Sequence, residues 1–258
     1  MIEGIKEIYR YREMLKNLVK KDLKTRYKGS ILGFLWTFIN PLIQLIVYSV
    51  VFTTVMKINI DNFSIFLFVG LIPWIFFSNS LLVSAGTIIS NENLVKKIYF
   101  PRAILPLSVV TSGLINLCLS FIIVFIGIII SGIEIEFVVI YLPLLIIVEY
   151  LIVLGFSLMV SALNVYFRDL EHILNSIMAG WFYFTPIIYP LEMIPEEYFG
   201  YFFLNPLAPI IVSFKDILYY GRTPDFIMLG ISGLTGILMV IFGYSLFQIL
   251  QKRFAEEI

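Results

Sequence analysis

Between residues 31 and 56, Trp36, Asn40, Gln44, Tyr48 and Phe52 recur every four positions. On a helix that spacing lays rings and amides along one slowly drifting ridge. Ring faces stack on the C–H faces of sugars and amides reach their hydroxyls, so the ridge suits an uncharged, hydroxyl-rich ligand. It equally suits a helix–helix seam, because Asn and Gln bond across bundled helices and interfacial Trp and Tyr need no ligand. A second ring-rich stretch, WFYFTPIIYP (181–190), carries Trp181, Tyr183 and Phe184, then Pro186 and Pro190. Successive helical residues turn by about 100°, so these rings face several directions before the prolines end the helix. An aromatic belt at a membrane surface is the plainer alternative.

Ionisable groups are sparse. Glu149 lies at the centre of the apolar run IIVEYLIV. A charge there costs about 2.5–3.5 kcal/mol or more at mid-bilayer, so the residue is a candidate for function. A proton-coupled carrier would use it, but no Lys, Arg or His shares its depth in any apolar run. The other reading is a buried carboxyl bonded to a neighbouring helix. His172, the single histidine, stands beside Glu171 without a Ser, Cys or metal-binding pattern and reads as a helix-terminal residue. Cys118, the single cysteine, sits in an apolar run, which excludes a disulfide framework and a cysteine metal cluster. There is no GxxxxGK[ST] loop, so no phosphate cradle is expected here. Neither catalytic nor metal-binding residues are assigned, no cofactor is expected on this chain, and nothing points to nucleic acid.

The elements that position these residues follow from composition. Of 258 residues 60% are hydrophobic and 14% charged, with mean hydropathy +0.95. That cannot clothe a soluble domain, and the chain reads as an all-α multi-pass membrane protein. Six runs approach the roughly 20 residues needed to cross a bilayer: 31–56, 63–89, 103–130, 137–163, 173–190 and 226–250. No ten-residue alternation suggests a barrel. Residues 199–220 are nearly apolar enough for a seventh span, but Asn205, Pro206 and Pro209 interrupt them and Lys215 and Asp216 follow. The segment 191–224 is therefore expected to form two short re-entrant helices. With six spans, fifteen of the 18 Lys and Arg fall on one side, leaving Lys57, Lys215 and Arg222 on the other. This bias places both termini in the cytoplasm. No cleavable signal peptide is apparent.

Residues 1–30 form a separate element before a single transmembrane domain, 31–258. Ile5, Ile8, Tyr11, Leu15, Leu18 and Val19 follow helical spacing among basic residues, as in a helix lying on anionic headgroups. A simple positive-inside anchor is the alternative. Two charged loops are short enough to dock in a partner's groove. In NENLVKKIYFPR (91–102), Glu92 and then Lys96 and Lys97 suit the dipole of a two-turn helix ended by Pro101. In NVYFRDLEHIL (164–174), Asp169 is placed to cap the next helix behind Arg168. Ordinary capping at a water boundary would explain both.

Five stretches, in order and covering essentially the whole chain, carry a family resemblance: KDLKTRYKGSILGFLWTFINPL (21–42), KKIYFPRAILPLS (96–108), NVYFRDLEHIL, TPIIYP (185–190) and NPLAP (205–209). They resemble the polysaccharide-export branch of ABC-2 type transporter permeases, which serves O-antigen, teichoic acid and capsule. The resemblance implies a homodimer in the bacterial inner membrane, joined by two copies of a separate ATPase that holds ATP and magnesium. Its cargo would be a lipid-linked polysaccharide, O-antigen before the others. It implies ATPase-coupling roles for Glu92, Lys96, Lys97, Arg168 and Asp169. Spans one and five would line the substrate pathway, giving that role to Trp36, Asn40, Gln44, Tyr48, Phe52, Trp181, Tyr183 and Phe184. The re-entrant helices would form an external gate around Pro186, Pro190, Asn205, Pro206 and Pro209. An exporter of drugs or small lipids and a proton-coupled carrier using Glu149 are the competing expectations.

Overall fold

The computed structural model describes residues 2–25, 30, 32–55, 57, 60–198, 200 and 204–257, and regular structure among them is entirely helical. Arg26, Lys28 and Ile31 therefore lie outside the described residues. The chain begins with α1 (Ile2–Arg10) and α2 (Arg12–Thr25). The amphipathic stretch is thus two helices, broken at Tyr11, whose hydroxyl donates to the Tyr99 carbonyl at 3.3 Å. α2 packs on α6 and buries only Val19, while Met14 and Leu18 rest half-buried on a cluster containing Phe100, Phe247 and Phe254. Its outer face is solvated. There Lys16 lies 2.8 Å from Glu13 and holds that carboxyl below its ordinary range.

α3 (Trp36–Ser49) runs on into a π-helical segment, Val50–Val55. Then come α4 (Phe63–Ser90), α5 (Glu92–Lys97), α6 (Ile104–Ile130) and α7 (Leu142–Tyr166), the last entered through a 3-10 turn. α8 (Leu170–Tyr183), α9 (Ala208–Leu218), α10 (Phe226–Leu250) and α11 (Phe254–Glu257) complete the order. Five segments are long and apolar enough to cross a membrane: Trp36–Val55, Phe63–Ser90, Ile104–Ile130, Phe137–Tyr166 and Phe226–Arg253.

The fifth expected span behaves differently. α8 stops at Tyr183, not at Pro190, and its 14 residues cover only about 21 Å of a roughly 30 Å hydrocarbon core. Pro186 lacks an N–H and disfavours helical geometry before it. The last turn accordingly tightens, with Phe184 N–H donating to Trp181 and Thr185 N–H to Phe182, while the Thr185 hydroxyl returns to the Trp181 carbonyl at 2.9 Å. Within 191–224, the described residues make 3-10 turns at Leu191–Met193 and Glu196–Tyr198 and then α9; residues 199 and 201–203 lie outside them. Pro209 does not interrupt a helix. It sits in the first turn of α9, where its missing N–H costs nothing.

α4 is the hub, packing on α3, α6, α7, α8 and α9. It is apolar around most of its circumference, as a largely enclosed helix must be. α7 and α10 make the most extensive pairing, and glycine allows it. A Cβ on Gly155 would fall 2.6 Å from the Met239 backbone, and one on Gly243 would fall 2.4 Å from the Gly155 carbonyl oxygen. Without a hydrophobic drive between helices in lipid, such close approach is what holds them together.

Candidate functional site

The ridge on α3 is divided by the fold. Asn40 and Gln44 are exposed, whereas Tyr48 stacks on Phe182 of α8 at 5.4 Å and 21°. Phe52, within the π segment, tilts against Phe63 at 6.3 Å and Tyr48 at 6.5 Å. The outer rings therefore bind α3 to its neighbours, and the amides face outward. α8 is divided in the same way. It buries only Leu174, Met178 and Phe182, one stripe at four-residue spacing, and exposes most of its remaining surface. Trp181 is half-buried. It meets Phe77 edge-on at 5.2 Å and Phe156 at 5.8 Å, part of the scaffold. Tyr183 and Phe184 are exposed, at 61% and 72%. Trp181, Phe184, Tyr189, Tyr198 and Leu204 border an open cleft of 700 Å³ just beyond the end of α8.

Beneath this cleft the chain is tied by polar groups. The Asn205 amide donates to the Phe184 carbonyl (3.3 Å) and to Thr185 Oγ1 (2.9 Å), and its oxygen accepts from Leu207 N–H at 3.1 Å. Asn205 thus joins the end of α8 to the start of α9. Pro186 is buried in that junction, while Pro190 and Pro206 are half-buried in turns. Lys215, one of the three cations expected on the side poor in Lys and Arg, is 3% exposed inside the bundle. Its Nζ donates to the carbonyls of Pro186 (2.6 Å), Ile187 (2.9 Å) and Tyr189 (3.4 Å), and lies 3.5 Å from the centre of the Phe66 ring. A buried ammonium is costly unless so satisfied, and the ring face adds attraction. Gly70 makes room, since a Cβ there would stand 3.1 Å from Lys215 Cε. Next along the helix, Asp216 pairs with Arg222 at 2.7 Å. The polar doublet Lys215–Asp216 in an apolar run was the sequence signal for this knot. Its carbonyl partners had none.

At the opposite end, α5 is anchored by buried Val95, and Glu92 pairs with Lys96 at 3.6 Å with Lys97 exposed. Arg168 and Asp169 are exposed too, beside an open cleft of 860 Å³ that Glu257 also borders. Asp169 occupies the position before α8 but makes no side-chain cap, because its backbone is already helical. Both α5 and α7 touch the short C-terminal α11, so the two charged loops belong to one end of the bundle.

Inside the bundle, Glu149 is fully buried and neither carboxyl oxygen has a hydrogen-bond partner among the described residues. Among the described residues, the expected bond to a neighbouring helix is not made. Trp36 and Asn40 line a cavity of 320 Å³ between α3, α4 and α6, together with Asn79 and Asn116. Sequence reading missed those two asparagines, which carry no local motif and acquire meaning only where three helices meet.

A helical bundle with five segments long and apolar enough to cross a membrane, polar and aromatic faces left open and charged loops at one end is that of a multi-pass membrane protein. The chain belongs to the ABC-2 type transporter family, whose pattern matches residues 13–219. It is 38% identical to an O-antigen export system permease protein, RfbA, of Myxococcus xanthus over 100% of both chains. An RfbA of Klebsiella pneumoniae is 38% identical over 95% of this chain and 94% of its own. The polysialic acid transport protein KpsM of Escherichia coli is 23% identical over 90% and 91%.

Proposed function

We propose that this protein is the permease of an ATP-driven exporter that moves a lipid-linked polysaccharide, O-antigen before capsule or teichoic acid, from the cytoplasmic to the outer face of the inner membrane. The observation that carries the reading is end-to-end similarity at 38% identity to permeases of O-antigen export. Two copies would pair through α3 and α8, whose exposed faces have no cover within one chain, and two ATPase chains holding ATP and magnesium would bind the loops carrying Glu92, Lys96, Lys97, Arg168 and Asp169. In this arrangement α8 is a short fifth span continued by 184–190, making six, and α9 with the turns before it is the re-entrant gate set by Pro186, Pro190, Asn205, Pro206 and Pro209. Both termini, including the 1–30 element, then lie in the cytoplasm, with 31–258 as one transmembrane domain. The amides Asn40 and Gln44, with Tyr183 and Phe184, present the groups over which a neutral glycan slides; Trp36, Tyr48, Phe52 and Trp181 hold that path in place.

Depletion of the protein tests the reading. Lipid-linked glycan should accumulate on the inner face and vanish from the surface. Unchanged surface glycan with a Walker-type ATPase still co-purifying would turn the assignment toward drugs or small lipids.

A further inference from the structure

The cavity between α3, α4 and α6 has a composition that helix packing alone does not require. Each helix supplies one amide and one hydroxyl: Asn40 with Thr37, Asn79 with Ser80, and Asn116 with Ser120. Asn79 and Asn116 sit about 17 Å from the nearer ends of α4 and α6, at hydrocarbon depth. Asn40 and Asn79 are exposed, and their side chains bond to nothing among the described residues. The Asn116 side-chain oxygen is buried and also lacks a partner. Polar groups left open at this depth are expensive, so an occupant with donors and acceptors is called for.

The lining defines that occupant's chemistry. It contains no Lys, Arg, His, Asp or Glu, so it offers no charge to balance a phosphate or a cation and suits a neutral ligand. Asparagine both donates and accepts, as a sugar hydroxyl does. The Trp36 ring forms one wall, and its N–H is already given to Ser30 Oγ at 2.9 Å, which fixes the ring's orientation. Phe76 and Ser80 pack against Gly113, where a Cβ would meet Ser80 Oγ at 2.6 Å, so the glycine lets α4 and α6 close together at the cavity's edge. At 320 Å³ the space is at the small end for ligand sites, fitting about one sugar residue rather than a folded glycan.

We propose that this cavity is a binding site for a single uncharged sugar unit of the cargo, separate from the α3–α8 path. The inference rests on the export reading above. It assigns recognition to Asn79 and Asn116, with Asn40 facing both regions, and leaves the open α3–α8 face to conduction without selectivity.

The test places p-benzoylphenylalanine in place of Val83, a cavity-lining residue, in cells expressing the full permease and its ATPase. Light should attach glycan-bearing lipid to the chain. Asn79→Leu and Asn116→Leu should each lower that adduct about tenfold, as expected when one hydrogen bond to the sugar is removed. Leucine suits the membrane, and co-purification with the ATPase checks assembly; Asn79→Gln, which keeps the amide, should retain more adduct than Asn79→Leu. Attachment to phospholipid alone, attachment to a second copy of this chain, or glycan adduct indifferent to both leucine variants would overturn the proposal. Failure of the export reading is seen separately, as surface glycan that survives depletion of the whole chain.

Discussion

α3 with its π-helical continuation (Trp36–Val55) and α4 (Phe63–Ser90) are both apolar and of membrane-crossing length, yet 78% of the apolar stretch is buried in α4 and only 6% in the α3 segment. The difference is not one of hydrophobicity. Ile43, Ile46 and Val47 on α3 are 48%, 60% and 52% exposed, while Phe66, Phe68 and Phe77 on α4 are almost wholly enclosed. Lipid accepts either arrangement, so apolarity admits a helix to the membrane without deciding what it touches. Small residues decide that: Gly70, Ser80, Ser84 and Ala85 let α4 be surrounded. α3 keeps a free face, as α8 does.

If α4 and α9 are scaffold and α3 and α8 are working surface, substitutions should separate by region. The largest effect is expected at Lys215→Met, which strips three carbonyls of their donor beside Phe66 and should lower stability by about 3 kcal/mol. Thermal unfolding of the purified protein checks it, and an unchanged midpoint would dismiss the knot as scaffold. Trp181→Ala should follow at about 2–3 kcal/mol, because its ring no longer packs on Phe77 and Phe156, with export and stability falling together. Gly155→Ala should cost about 1–3 kcal/mol by pushing α10 from α7. Tyr183→Ala, on the open face, should change stability by less than about 0.5 kcal/mol while surface glycan drops several-fold. Equal losses of stability at 181 and 183 would erase the distinction between the packed and open faces of α8. The smallest structural effect belongs to Arg168→Ala, which should leave folding intact and show only as ATP hydrolysis without matching transport.

Much of this was legible in the chain. The long apolar runs became α3, α4, α6, α7 and α10, and Pro186 ends α8, although the helix stops at Tyr183 because the last turn tightens before the proline. The ridge on α3 was visible as a four-residue rhythm, but not that its rings would be spent on Phe182 and Phe63 while its amides stayed open. Asp169 looked like a cap and is not one, because a cap needs non-helical backbone at its own position and the turn after Phe167 does not provide it.

The sequence by itself determined the all-helical membrane class and the five long apolar segments. These depend on local quantities: the transfer of each segment into lipid and the missing N–H of proline. Tertiary structure alone decided that α4 is enclosed, that Lys215 closes a carbonyl cluster beside Gly70, and that Asn40, Asn79 and Asn116 face one cavity. Each of those outcomes joins residues far apart in the chain through close packing of small side chains, and lipid exerts no solvent pressure that would mark such pairings along the sequence.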